Sequence, residues 1–251
     1  KTAKLILDVR DIFSLNLNRL IFSKQKKIGN LIFFILLFIE RYIYNRAMIV
    51  NVVSPYFLKF YSKLNFKTKN WTVFTNGIDK NFILNNNMKF NKKFFLKSKN
   101  ILYAGNLGDG QKLDVIVKDF SKNLPKDWKF IILGNGSRKK LLKNVIDQNK
   151  LNNVILKEPI SRDKLDHYYK RASILLVSLG SETCLSYVIP SKIFEYGTFN
   201  KPILLGAKGF TAKFVQQELP LVEVFNPGDG IDAIKALNNI LRIKCRDNRI
   251  V

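Results

Sequence analysis

The sequence predicts an α/β fold of two doubly wound parallel sheets, the first of them incomplete. Three observations predict it. Short β-branched runs alternate with longer helical patterns along the whole 251-residue chain, the signature of strands joined by crossover helices. Glycine-rich turns follow two of the strands and open into helices, as they do at ligand-facing ends of open parallel sheets. A polar segment over residues 81–100 breaks the rhythm with Asn85-Asn86-Asn87 and Lys92-Lys93, which marks a boundary between two folding units.

Taken in order, Leu5–Val9, Ala47–Ser54 and Trp71–Thr75 read as the strands before that boundary. After it come Ile101–Ala104, Lys129–Leu133, Val154–Lys157, Ile174–Ser178, Ile203–Leu205 and Val222–Phe225. Helices are expected at Lys112–Leu124, Arg138–Asn149, Arg162–Ala172 and Asp229–Ile243, each long enough to cross back over a parallel sheet. The resulting division is a partial domain over residues 1–82, a linker over 83–99 and a Rossmann-like domain over 100–251. Only the tail of a Rossmann-like unit precedes the linker, and the chain opens on Lys1 rather than Met. The N-terminal domain is therefore expected to be truncated.

With 47% hydrophobic and 12% aromatic residues, disorder is excluded as the default and one large core or two modest ones are within reach. Two cysteines, Cys184 and Cys245, supply neither a disulfide framework nor a zinc spacing, which favours a reducing cytoplasm. The net charge is +24, and residues 1–99 hold 19 basic against four acidic residues. Either an anionic surface attracts this half of the chain, or an AT-rich genome supplies lysine as its surface residue. Neither an aromatic RNA-binding motif nor a zinc finger accompanies the charge, so no nucleic-acid partner is expected. The apolar run Leu31–Ile39, preceded by Lys24, Lys26 and Lys27, is about half of what a bilayer span requires. It reads as a core helix or as a helix lying at a membrane interface.

Three motifs carry chemistry. The strand ending at Ala104 runs into Gly105-Asn106-Leu107-Gly108-Asp109-Gly110-Gln111-Lys112 and then a helix, a turn that aims backbone N–H groups at an anion. Glycines there also serve purely steric needs. A second strand ends in Gly134-Asn135-Gly136 and repeats the device. The third motif is Pro190-Ser191-Lys192-Ile193-Phe194-Glu195-Tyr196. Lys192 and Glu195 lie three apart and share a helix face, so they form a surface ion pair, or else Ser191, Lys192 and the helix N-terminus face a diphosphate while Glu195 accepts hydrogen bonds from a ribose. His167, the only histidine, stands among surface charges and is expected to be solvated.

In order along the chain, Asp8-Val9-Arg10-Asp11, Glu40-Arg41-x-Ile43-Tyr44-Asn45-Arg46-Ala47, Val53-Ser54-Pro55, Asn76-Gly77-Ile78-Asp79 and the three motifs above resemble family 4 of the retaining GT-B glycosyltransferases. Within it, the resemblance is to bacterial surface-polysaccharide enzymes with a Pro-Ser-Lys-x-x-Glu-Tyr helix. It implies a GT-B architecture, residues 1–82 on the acceptor side and residues 100–251 binding a nucleotide-sugar, a UDP-sugar, for transfer to a lipid-linked or polysaccharide acceptor with retention. Gly105, Asn106, Gly108, Gln111, Lys112, Gly134, Gly136, Ser191, Lys192 and Glu195 would form the donor site, Glu195 holding the ribose. Arg10 and Asp11 would act in catalysis, although Asp11 at a strand end also reads as a helix cap. No metal and no other cofactor is implied. The family's first glutamate would fall at Tyr187, and its loop Arg and Lys at Asn106 and Gln111, which leaves Lys112 and Lys192 as charge partners. Those departures keep open a catalytically silent nucleotide-binding subunit. A cytoplasmic protein, peripheral at the inner face of the membrane, completes the expectation.

Overall fold

The computed structural model describes residues 3–22, 26–84 and 98–242. These fall into two compact units, one of residues 1–77 with 182–190, the other of residues 78–181 with 191–251. The expected linker 83–99 lies almost wholly outside the described residues, as does Lys24.

The first unit is built from β1 (Ile6–Val9), α1 (Phe13–Phe22), α2 (Lys26–Tyr44), β2 (Ile49–Val52), α3 (Pro55–Lys63) and β3 (Trp71–Val73). Its sheet is parallel, in the order β1-β2-β3, with Asp8 beside Asn51 and Asn51 beside Thr72. The strand expected at Ala47–Ser54 is shorter because its two ends do other work. Ala47 closes the turn after α2, and Ser54 caps α3, its Oγ accepting from Tyr56 N at 3.2 Å while Pro55 supplies the preset first helical residue.

An aromatic cluster of Tyr44, Tyr61, Phe66 and Trp71 fills this unit, with ring centroids 4.8–6.5 Å apart. Glu40 of α2 is buried among them and fastens the start of α1. Its Oε1 accepts from Ser14 N at 3.1 Å and from Tyr61 OH at 3.2 Å, and its Oε2 from Ser14 Oγ at 2.9 Å. Burial raises the Glu40 pKa while those hydrogen bonds oppose the rise. The apolar run is thus a core helix on one side only. Gly29, Leu37 and Glu40 are buried, whereas Leu31, Phe34, Ile35, Phe38, Ile39 and Tyr42 are exposed. No helix among the described residues is long and apolar enough to cross a membrane.

The second unit starts at Ile78, and its first element is α4 (Lys80–Leu84). It continues through β4 (Asn100–Ala104), α5 (Leu113–Lys122), β5 (Lys129–Leu133), α6 (Lys139–Gln148), β6 (Val154–Lys157), α7 (Arg162–Arg171) and β7 (Ile174–Ser178). After a 3₁₀ turn (Thr183–Tyr187) follow α8 (Ser191–Gly197), β8 (Ile203–Gly206), α9 (Gly209–Glu218), β9 (Val222–Phe225) and α10 (Gly230–Arg242). All six strands are parallel, in the order β6-β5-β4-β7-β8-β9. Chain order therefore reverses between β4 and β7, and a doubly wound sheet has its crevice at such a switch point.

The core follows the helical period. α5 buries Leu113, Ile116, Val117 and Phe120, and α10 buries Ala233, Ala236, Leu237 and Ile240, the i, i+3, i+4, i+7 stripe of a helix lying on a sheet. They enclose Ile101, Phe130, Ile132, Ile174 and Leu176.

Candidate functional site

Three loops leave the C-terminal ends of β4, β5 and β6, and α8 begins beside them. Together they line a cavity of about 420 Å³, bounded by Ala104–Asn106, Leu133–Asn135, Pro159, Ile160, Arg162, Leu165, Tyr169, Ser191, Lys192 and Glu195.

The first two loops are packed backbone to backbone. Gly105 N donates to Leu133 O at 2.8 Å, Leu107 N to Asn135 O at 2.8 Å, and Arg138 N to Leu107 O at 2.9 Å. A Cβ on Gly136 would stand 2.6 Å from Leu107 O, and one on Gly134 would overlap the Gly105 carbonyl, so both glycines are required by close approach. Side chains tie the same loops. Arg138 grips buried Asp114 through Nε and Nη2 at 2.8 and 2.6 Å and reaches Asp109 from Nη1 at 2.8 Å, which raises its pKa further above the usual guanidinium range. Within the first loop, Gln111 Oε1 accepts from Asn106 Nδ2 at 3.2 Å and Gly108 N at 3.3 Å.

Lys192 sits half-buried on the cavity wall. Its Nζ is 4.1 Å from the centroid of the Tyr103 ring, whose hydroxyl donates to Asn106 O at 2.6 Å. Gly105, with φ of 147°, leaves the space its ammonium fills. Among the described residues Lys192 Nζ makes neither an ion pair nor a hydrogen bond, and desolvation pushes its pKa down to about 8 despite the opposing field of Glu195. The ion pair conceivable from spacing alone is therefore not formed. Glu195 instead receives Arg162 Nη2 on Oε1 at 2.6 Å and Tyr169 OH on Oε2 at 3.3 Å, with its side chain 11% exposed.

Of the residues singled out in the sequence, Gly105, Asn106, Gly134, Ser191, Lys192 and Glu195 line the cavity. Gly108, Gln111, Lys112 and Gly136 do not; they shape the loops, Lys112 taking a left-handed conformation at φ 46° where α5 starts. Arg10 and Asp11 belong to the first unit and are exposed there. Arg10 Nε donates to Asp8 Oδ2 at 2.9 Å, and Asp8 also accepts from Asn51 Nδ2 at 2.8 Å; first Asn51 and then Arg10 hold its carboxyl below the usual range. Tyr187 stacks on Tyr56 with centroids 4.5 Å apart. His167 is exposed beside Arg171.

Arg162, Tyr169 and the turn at Pro159-Ile160 were not singled out. The signal that reveals them is their place after β6, a third strand end in the same crevice. Among the described residues, no three His, Cys, Asp or Glu side chains are grouped to hold a metal.

The model of the family described as "Glycosyl transferases group 1" matches residues 85–249. Among solved structures, the chain is similar to Anabaena HepE in complex with UDP and glucose, at 15% identity and a TM-score of 0.69 over 96% of this chain and 62% of that one. It is similar to S. aureus TarM in complex with fondaparinux, alpha-GlcNAc-glycerol and UDP, at 16% identity and a TM-score of 0.58 over 79% of this chain and 37% of that one. The lipopolysaccharide outer core galactosyltransferase WaaB, in its apo form, gives 15% identity and a TM-score of 0.56 over 78% of this chain and 53% of that one. At these identities the likeness is one of fold, and the chain spans less than two thirds of each structure. Comparison with curated protein sequences gave no significant match.

Proposed function

The chain belongs to the glycosyl transferases group 1 family, and from that premise we propose that it moves a sugar from a UDP-sugar to a lipid-linked or saccharide acceptor with retention of anomeric configuration, as a family 4 enzyme. The observation that carries this reading is the cavity at the switch point, where an unpaired ammonium and a hydrogen-bonded carboxylate stand on one short helix. A diphosphate needs the first and a ribose diol the second. HepE in complex with UDP-glucose and TarM in complex with UDP and saccharides support the donor and acceptor classes.

In this reading residues 100–251 bind the donor through the loops at Gly105 and Gly134, with Lys192 on the diphosphate and Glu195 on the ribose. The bond from the anomeric carbon to the diphosphate oxygen breaks, a bond to the acceptor oxygen forms on the same face, the acceptor's hydroxyl proton passes to the departing diphosphate, and Lys192 stabilises the charge on that nucleotide. Residues 1–82 serve the acceptor, with Arg10 and Asp11 at the end of β1. Incubation with a panel of UDP-sugars and a lipid-linked or oligosaccharide acceptor tests the reading. The expected product carries the donor's anomeric configuration by NMR, and release of UDP without a glycosylated product in every pairing contradicts it. A nucleotide-binding subunit without transfer is the second reading, favoured by Tyr187 stacked on Tyr56 in place of a sugar-binding carboxylate; UDP binding with no turnover is its outcome.

The protein acts in the cytoplasm at the inner face of the membrane. The exposed side of α2 and the basic excess of the first 99 residues support this placement, since each lysine or arginine near an anionic leaflet contributes on the order of 1 kcal/mol. Sedimentation with anionic liposomes that fades at high salt is expected, and equal pelleting with neutral liposomes removes the electrostatic basis.

A further inference from the structure

Three charged side chains share the cavity wall, and the structure sorts them unequally. Arg162 is joined to Glu195 at 2.6 Å, whereas Lys192, three residues from Glu195 on the same helix, has no ion-pair partner among the described residues. Left alone, a carboxylate of 11% exposure beside an ammonium at that spacing would turn to it. Arg162 prevents this from outside the helix. Its guanidinium is itself placed by the segment that opens the unit, with Nη1 3.9 Å from Asp79 and Cζ 6.0 Å from the Phe82 ring. Tyr169 holds the other carboxylate oxygen at 3.3 Å. A carboxylate offers about four acceptor positions, so these two contacts leave acceptor capacity on Glu195, which lines the cavity.

We infer that Arg162 is a positioning residue for nucleotide selection: it fixes Glu195 as the acceptor of a ribose diol and keeps that carboxylate off Lys192, which stays available to the diphosphate. The inference rests on the donor reading above and adds to it the residue that separates the two halves of donor recognition. Arg162 itself, with its side chain 65% exposed, need not touch the nucleotide.

The test compares UDP with 2′-deoxy-UDP by isothermal titration on the wild type, Glu195→Gln, Arg162→Ala and Arg162→Lys. Losing a hydroxyl bonded to a charged acceptor is expected to weaken wild-type binding about tenfold. In Arg162→Ala that preference collapses toward equality with an unchanged melting temperature, and Arg162→Lys restores part of it. Arg162 variants that keep the preference while Glu195→Gln loses it, or that weaken both ligands equally, overturn the role of Arg162 alone. A wild type without preference, or a Glu195→Gln that retains it, overturns the ribose role of Glu195 and this inference with it.

Discussion

In the second unit all five residues of β7 are buried, whereas β1 of the first unit buries Val9 and leaves Ile6 60% exposed. The second unit is held by apolar stripes from α5 and α10 pressed on a six-stranded sheet. The first relies on an aromatic cluster and on a buried carboxylate that fastens one helix to another. The contrast teaches where a precise site can stand. A sheet covered on both faces fixes its strand ends, and the loops after β4, β5 and β6 inherit that rigidity.

The largest effect expected from this contrast is on Phe120, fully buried and edge-on to Phe130 at 5.3 Å. Phe120→Ala is expected to cost about 3–5 kcal/mol by urea denaturation; a loss below 1 kcal/mol would deny the second unit its apolar core. Next is Glu40→Ala, which strips Ser14 and Tyr61 of a buried acceptor and is expected to cost about 3 kcal/mol, with Glu40→Gln costing less because one carbonyl oxygen remains. Equal losses for the two variants would mean that the carboxylate's own hydrogen bonding, which an amide of the same volume cannot replace, and not packing, decides the first unit.

A middling effect falls on ligand binding. Lys192→Met is expected to weaken UDP about ten- to a hundredfold by isothermal titration, the worth of a charge-assisted contact. The pH dependence sharpens this. Because the free lysine titrates at about 8, it is charged below that value and neutral above it, so wild-type affinity should fall as pH rises through 8. Lys192→Met should lack that fall, and parallel profiles would assign the titration elsewhere. The smallest effect is Phe38→Ser on the open side of α2, where the ring is 72% exposed. Its folding stability should stay within about 0.5 kcal/mol of wild type, and a larger loss would show that this side is covered in solution.

Much of the frame was legible because buried parallel strands read as apolar runs. Lys129–Leu133, Val154–Lys157, Ile174–Ser178 and Val222–Phe225 fall where the sequence places them. The glycine turns were legible as loops, but spacing could not say which glycines face a cavity and which, like Gly136, merely let two loops touch. Partners separated in sequence were not legible either. Nothing in the period of α7 announces that Arg162 meets Glu195, 33 positions on, or that Glu40 reaches back 26 positions to Ser14. The segment 182–190 reads as part of the second domain and instead groups with the first unit, because Tyr187 finds its stacking partner in Tyr56.

The grip of Arg138 on Asp109 and Asp114 has a thermodynamic consequence for any ligand of the cavity. Loops that are free before binding surrender conformational entropy when they close on a ligand, and that loss is subtracted from affinity. Here folding has already ordered both turns, through Leu107 and Asn135 in the backbone and through one guanidinium between two carboxylates. A ligand arriving at Gly105 and Gly134 thus meets walls with little disorder left to lose, and the entropy of association reduces to its own immobilisation and the water it releases.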